Sequence, residues 1–222
     1  MCKPTKTIVF FQGNIGAGKS TLINKIAANL RASGHGVSIL QEDVKGWEND
    51  GFIQKFYNNT KKHAFEFQCY VTTERCGLYT DLTKFDNEFI LAERSLLEDV
   101  IFASANCICG TITDDQLHIH EKIVDCWIQC LENTFKLLRT CYELRILYVC
   151  VDTTKAVRVH NINKRNRGYE LGMIGSDYDK ELDRAYAMLF ANSAQRNSYN
   201  IECQFDGFDD RDVAQLQLAI TM

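Results

Sequence analysis

The chain has 222 residues, 45% of them hydrophobic and 24% charged, which suits one soluble α/β domain (1–222) with a sizeable core. A net charge of −4 at pH 7 counts against a general nucleic-acid-binding face, and no apolar run approaches membrane-spanning length. The N-terminus lacks the apolar stretch of an export signal, so the 10 cysteines read as reduced, mostly buried thiols of a cytoplasmic protein.

The first informative stretch is Ile8-Val9-Phe10-Phe11, an apolar run that leads into Gly13-Asn14-Ile15-Gly16-Ala17-Gly18-Lys19-Ser20-Thr21. Leu22, Ile23, Ile26, Ala27 and Leu30 then recur at helical spacing. Strand, glycine-rich turn and helix are the context that gives G-x-x-x-x-G-K-[ST] its meaning. Glycines let successive N–H groups point at an anion, and the helix start adds its positive end. Lys19 would reach the outer phosphates, and the Ser20 hydroxyl would sit on Mg²⁺.

A turn at Ser33-Gly34-His35-Gly36 precedes a second strand, Val37–Leu40, which ends at Gln41-Glu42-Asp43 with Trp47 shortly after. Ligands of open α/β sheets lie beyond the carboxyl ends of strands, so Glu42 belongs either beside the phosphate loop or on a surface turn. Residues 52–85 read as one long helix, with Gln68 and Arg75 one heptad apart on a face rich in aromatics. A third strand, 88–92, leads to Glu93-Arg94-Ser95, either a site or a charge pair at a helix start, with Asp99 one turn on. Cys107-x-Cys109 followed by His118-x-His120 is an alternative reading as a zinc site, disfavoured because residues two apart on a helix face different ways.

Thr113-Asp114-Asp115-Gln116 has capping-box spacing and opens a helix expected to run to about Arg139, whose apolar positions suit core or a dimer contact. The run 146–151 reads as a central parallel strand, with Thr153 or Thr154 capping the helix that follows. Arg165 and Arg167 fall in a Gly-bearing charged loop, 165–175, suited to a lid that closes on phosphate. A helix from 177 to about 195, a strand at 199–203 and a short tail around Phe205 and Phe208 complete the pattern. Periodicity alone thus gives a parallel sheet of about five strands flanked by helices.

These segments resemble the deoxyribonucleoside kinases of the deoxycytidine/deoxyguanosine kinase type, over most of the chain. GNIGAGKST is similar to their phosphate loop. Glu42-Asp43-Val44-Lys45-Gly46-Trp47 resembles their E-P-V-x-x-W, with Asp43 in place of proline. Phe65-Glu66-Phe67-Gln68 is similar to F-x-F-Q, and Glu93-Arg94-Ser95 to E-R-S. Arg165-x-Arg167-x-x-Glu170 resembles the R-x-R-x-E-E lid, with Tyr169 where the first glutamate usually stands. Gln12 replaces the Glu that often precedes the loop.

The resemblance implies a P-loop kinase fold with an Arg-bearing lid, ATP as phosphate donor, Mg²⁺, and a deoxynucleoside as acceptor. It implies Gly13, Asn14, Gly16, Ala17, Gly18, Lys19, Ser20 and Thr21 around the ATP phosphates, and Ser20 with Glu93 at Mg²⁺. Glu42 would be the general base at the 5′-hydroxyl, and Arg94, Arg165 and Arg167 would stabilise the transferring phosphoryl group. Gln68 would bond the base edge between walls made by Ile15, Trp47, Phe67 and Phe102. Tyr57 and Glu170 would hold the 3′-hydroxyl. Arg75 and Asp99 would favour deoxycytidine and purine deoxynucleosides over thymidine. A homodimer through long helices is also implied, with no nucleic-acid or membrane partner.

Overall fold

The computed structural model describes residues 2–167, 169–170, 172, 176–193, 198–204 and 207–222. Within them one parallel sheet is built from β1 (Thr5–Gln12), β2 (Val37–Leu40), β3 (Phe89–Glu93), β4 (Glu143–Thr153) and β5 (Ser198–Cys203). The strands lie in the order β2-β3-β1-β4-β5. β1 has neighbours on both sides, with Phe10 level with Ala92 of β3 and Tyr148 of β4. That is why Ile8, Val9, Phe10 and Phe11 are apolar without alternation: both faces of the strand are covered.

Successive side chains still part to opposite faces. Val9 and Phe11 join Leu22, Ile23, Ile26 and Leu30 of α1 (Lys19–Ala32) in one core. Ile8 and Phe10 join the other, with Tyr79, Leu82, Leu96 and Val124. The helices α4 (Thr60–Thr80), α5 (Leu96–Ile108) and α6 (Asp114–Cys141) supply that second layer. A capping box opens α6, Gln116 N donating to Thr113 Oγ1 at 3.2 Å and Thr113 N to Gln116 Oε1 at 2.9 Å. The helix α7 (Lys155–Arg165) is capped by Thr154, and α8 (Asp177–Ser193) follows.

The chain departs from the periodicity reading in three places. Residues 52–85 are not one helix: α3 (Phe52–Asn58) ends before α4 starts, because Asn59 takes an extended φ of −151° and its side chain caps α4 by accepting from Lys62 N. A short helix, α2 (Val44–Asn49), precedes them, capped by Asp43 Oδ1 on Gly46 N at 2.9 Å. Gly51, at φ 74°, separates α2 from α3. Finally, the end of the chain is a helix rather than a tail. This α9 (Asp210–Thr221) buries Val213, Leu216 and Ile220 in the α1 core, and Arg145 donates to its last carbonyls at Ile220 and Ala219, both at 3.1 Å. Phe205, Gln195 and lid residues 168, 171 and 173–175 lie outside the described residues.

Among the described residues no helix is long and apolar enough to cross a membrane. The ten cysteines stand as thiols, Cys76, Cys150 and Cys203 among them buried.

Candidate active site

The carboxyl ends of β1, β2 and β3 open on a cavity of about 800 Å³. Turn chemistry shapes its floor. Gly16 and Gly18 sit at φ 79° and 91°, where side-chained residues are strained. A Cβ on Gly16 would also come within 2.9 Å of the Arg158 carbonyl, and one on Gly18 within 2.9 Å of Cys203 Sγ. The loop from Ile15 to Thr21 lines the cavity.

Gly13 and Asn14 are not among the residues that line it. Gly13 N donates to Glu98 Oε1 at 3.2 Å, and the Gly13 carbonyl accepts from Lys19 Nζ at 2.9 Å and Arg94 Nη1 at 3.0 Å. Asn14 Nδ2 donates to Asp183 Oδ1 at 2.7 Å. Both brace the loop from behind. Burial, with a further contribution from the Arg94 charge, lowers the Lys19 ammonium to about 8.

Glu42 lies at the end of β2 and is tied to Arg75 and to Arg94, the latter through Nε at 3.2 Å. Burial alone would raise its carboxyl; Arg94, Arg75 and Lys19 outweigh that and hold it down at about 2. Arg94 is itself fixed by Nη1 bonds to Glu98 Oε1 at 2.9 Å and Tyr186 Oη at 2.7 Å, with its guanidinium 4.7 Å from the Phe102 ring centre. Its backbone is left-handed at φ 69°, a conformation worth about 1–2 kcal/mol of strain that these contacts must hold. Gln12 Nε2 donates to Ser95 Oγ at 2.7 Å, so the substituted Gln serves the sheet-end hydrogen bonding next to the loop.

Ser20 Oγ lies 2.9 and 3.0 Å from the two oxygens of Glu93. Burial and the neighbouring Glu42 charge raise the Glu93 carboxyl, so two carboxylates compete for positive charge at this end of the cavity. A hard divalent cation with oxygen ligands fits that donor set.

The inner wall comes from α2 to α5. Phe67 stacks on Phe56 at 4.7 Å and meets Trp47 edge-on at 6.3 Å. Gln68 is buried and lines the cavity with Ile15, Tyr57, Val71, Phe102 and Tyr178. Arg75 pairs through its other nitrogen with Asp99 Oδ1, and Asp99 Oδ2 is buried with no hydrogen-bond partner. On the opposite side Glu170 forms ion pairs with Arg165 at 2.7 Å and Arg167 at 3.5 Å. Burial and the Glu170 charge push the Tyr57 phenol far up, so it stays a hydroxyl.

Residues 9–215 match the family model described as deoxynucleoside kinase. The chain belongs to the deoxynucleoside kinase family. A probable deoxycytidine kinase of fowlpox virus is 32% identical over 115 residues, which is 51% of this chain and 46% of that relative. Deoxyguanosine kinase of Lactobacillus johnsonii is 29% identical over 184 residues, 82% of this chain and 73% of the other. A structure of deoxyadenosine kinase from M. mycoides with bound dCTP superimposes with a TM-score of 0.70 at 21% identity, covering 97% of this chain and 98% of that one, which shows the fold.

In this deoxynucleoside kinase, sequence reasoning overlooked a supporting shell. Glu98 is buried and accepts from Gly13 N, Ser95 N, Arg94 and Tyr186. The S-x-x-E spacing of Ser95 and Glu98 was a readable capping signal. Buried Arg158 binds Asp179 and Asp183, each at 2.7 Å, and Asn161 Nδ2 donates to the Gly16 carbonyl at 2.8 Å. Their α7 and α8 partners lie far away in sequence, so no local signal marks them.

Proposed function

We propose that the kinase moves the terminal phosphoryl group of ATP to the 5′-hydroxyl of a deoxyribonucleoside, deoxycytidine and the purine deoxynucleosides ahead of thymidine, in nucleotide salvage. The observation that carries this reading is that Glu42 and Lys19, an ionised acceptor and a phosphate-seeking cation, line one cavity whose inner wall is aromatic. A loose phosphoryl transfer needs positioning and charge neutralisation more than a strong base. Glu42, anionic at neutral pH, accepts the hydroxyl hydrogen and takes the proton as bond formation makes it acidic. Arg94 donates to the developing charge from the acceptor side, and Arg165 and Arg167 from the donor side. Ser20 and Glu93 would hold Mg²⁺, which would neutralise charge at the phosphates.

Base choice rests on Gln68 and the Arg75–Asp99 pair. The unpartnered Asp99 oxygen is an acceptor suited to an exocyclic amine, which thymine lacks. Tyr57 and Glu170 hold the 3′-hydroxyl. The chain acts as one catalytic domain, with 165–175 as its lid, in a reducing cytoplasm that suits ten thiols. Exposed Leu78 on α4 and Ile119 and Leu137 on α6 support a homodimer through these helices.

Replacing Glu42 by Gln tests the assignment. ATP binding by calorimetry should stay within about twofold while nucleoside phosphorylation falls about 10²- to 10⁴-fold. Retained turnover would remove Glu42 from the chemistry.

A further inference from the structure

Tyr169 stands where the resemblance expects a lid glutamate, and the structure gives it two contacts. Its hydroxyl donates to Glu48 Oε1 at 2.6 Å, and its ring packs on Tyr57 with centroids 4.9 Å apart at 37°. Glu48 lies on α2, next to Trp47 of the base wall. Tyr57 lies on α3 and lines the cavity, as does Glu170, the residue after Tyr169. One side chain thus ties the segment bearing Glu170 to two elements of the nucleoside wall. Burial and the Glu48 hydrogen bond push the Tyr169 phenol far up, so it remains a donor across the working pH range.

We propose that Tyr169 is a positioning residue: its bond to Glu48 fixes the Tyr57 ring and Glu170 against the sugar side of the nucleoside site. A glutamate at 169 could not do this, since a second carboxylate would repel Glu48 and offers no ring to Tyr57. The hydroxyl supplies orientation and the ring supplies packing, so the two parts separate by substitution. The role in catalysis rests on the nucleoside-kinase reading; the clamp itself does not.

Tyr169→Phe keeps the ring and removes the bond, and Glu48→Gln keeps the shape of the acceptor while weakening it. Each should raise the KM for deoxynucleoside about 5- to 10-fold, within the net worth of one ordinary hydrogen bond, with KM for ATP and Tm unchanged. The double variant should be no worse than Tyr169→Phe alone, because both changes act on the same bond. A second readout needs no turnover. Tryptic cleavage at Arg165 and Arg167 in the nucleotide-free protein should quicken about 5-fold in both singles and no further in the double. Cleavage at the wild-type rate, or effects that multiply in the double variant, would overturn the clamp. A wild-type protein that phosphorylates no nucleoside, yet shows the expected cleavage pattern, would overturn the function and leave the clamp standing.

Discussion

Glu42 is surrounded by Arg75, Arg94 and Lys19, and those charges hold its carboxylate ionised. With its carboxyl held at about 2, Glu42 produces no acid limb in the ordinary assay range. Lys19 titrates where assays are run. Its folded value of about 8 lies below the unfolded 10.5, so the charged form is disfavoured in the fold. The destabilisation is complete below about 8 and disappears as pH rises through 8 toward 10.5, a range worth on the order of 3 kcal/mol. On the proposed assignment of Lys19 to the ATP phosphates, free enzyme loses that cation as pH passes about 8, so kcat/KM for ATP should fall there. Bound phosphates restore the charge, and the limb in kcat should shift upward. Steady-state profiles from pH 6 to 10 check both; superimposable limbs would mean that Lys19 does not meet the phosphates. Lys19, Ser20 and Glu42 were legible residue by residue because motif and strand end agree. Asp183 behind the loop was not, since its contact with Asn14 spans 169 residues of sequence.

Elements were legible where apolar spacing is long and unbroken, as in β1, α1 and α6. They were misread where one cap overrides periodicity. Asn59 splits an apolar aromatic stretch whose pattern continues across the break, and six-residue α2 is too short to show a period. The missed α9 carried its own signals: Asp209 as cap, then Val213, Leu216 and Ile220 on one stripe. Contact between α4 and α6 gives a prediction at this scale. His120 of α6 is fully buried with Nε2 3.0 Å from Thr72 Oγ1 of α4, and burial lowers its imidazole from 6.5 to about 4. The unfolded chain takes up a proton near 6.5 and the folded one refuses it until about 4. Stability is therefore full above the unfolded value and declines as pH falls between the two, by on the order of 3 kcal/mol. Urea unfolding at pH 7.5 and 4.5 should show that loss in the wild type and much less in His120→Gln, which cannot titrate. Equal losses in the two proteins would place the effect elsewhere.

Across the whole molecule the charge is −4, yet Lys19, Arg75, Arg94, Lys164, Arg165 and Arg167 all turn to one cavity. Glu42, Glu93, Asp99 and Glu170 line it too, so the lining carries six cations to four carboxylates, a balance that suits a small polyanion. The sheet explains the convergence. Parallel strands send their carboxyl ends to the same side, so segments from Ile15 to Glu170 meet although only the motif residues announce themselves in the sequence. Arg158, Tyr178 and Tyr186 enter through tertiary packing of α7 and α8, which periodicity does not specify.

In the proposed reaction an acceptor alcohol, held by Glu42, meets ATP, held by Lys19, in this cleft. Incubation with radiolabelled ATP against deoxycytidine, deoxyadenosine, deoxyguanosine, thymidine and the matching monophosphates tests it most directly. The expected result is labelled 5′-monophosphate from the first three nucleosides, less from thymidine, and no labelled diphosphate from the monophosphates. Label appearing only on the monophosphates would contradict it.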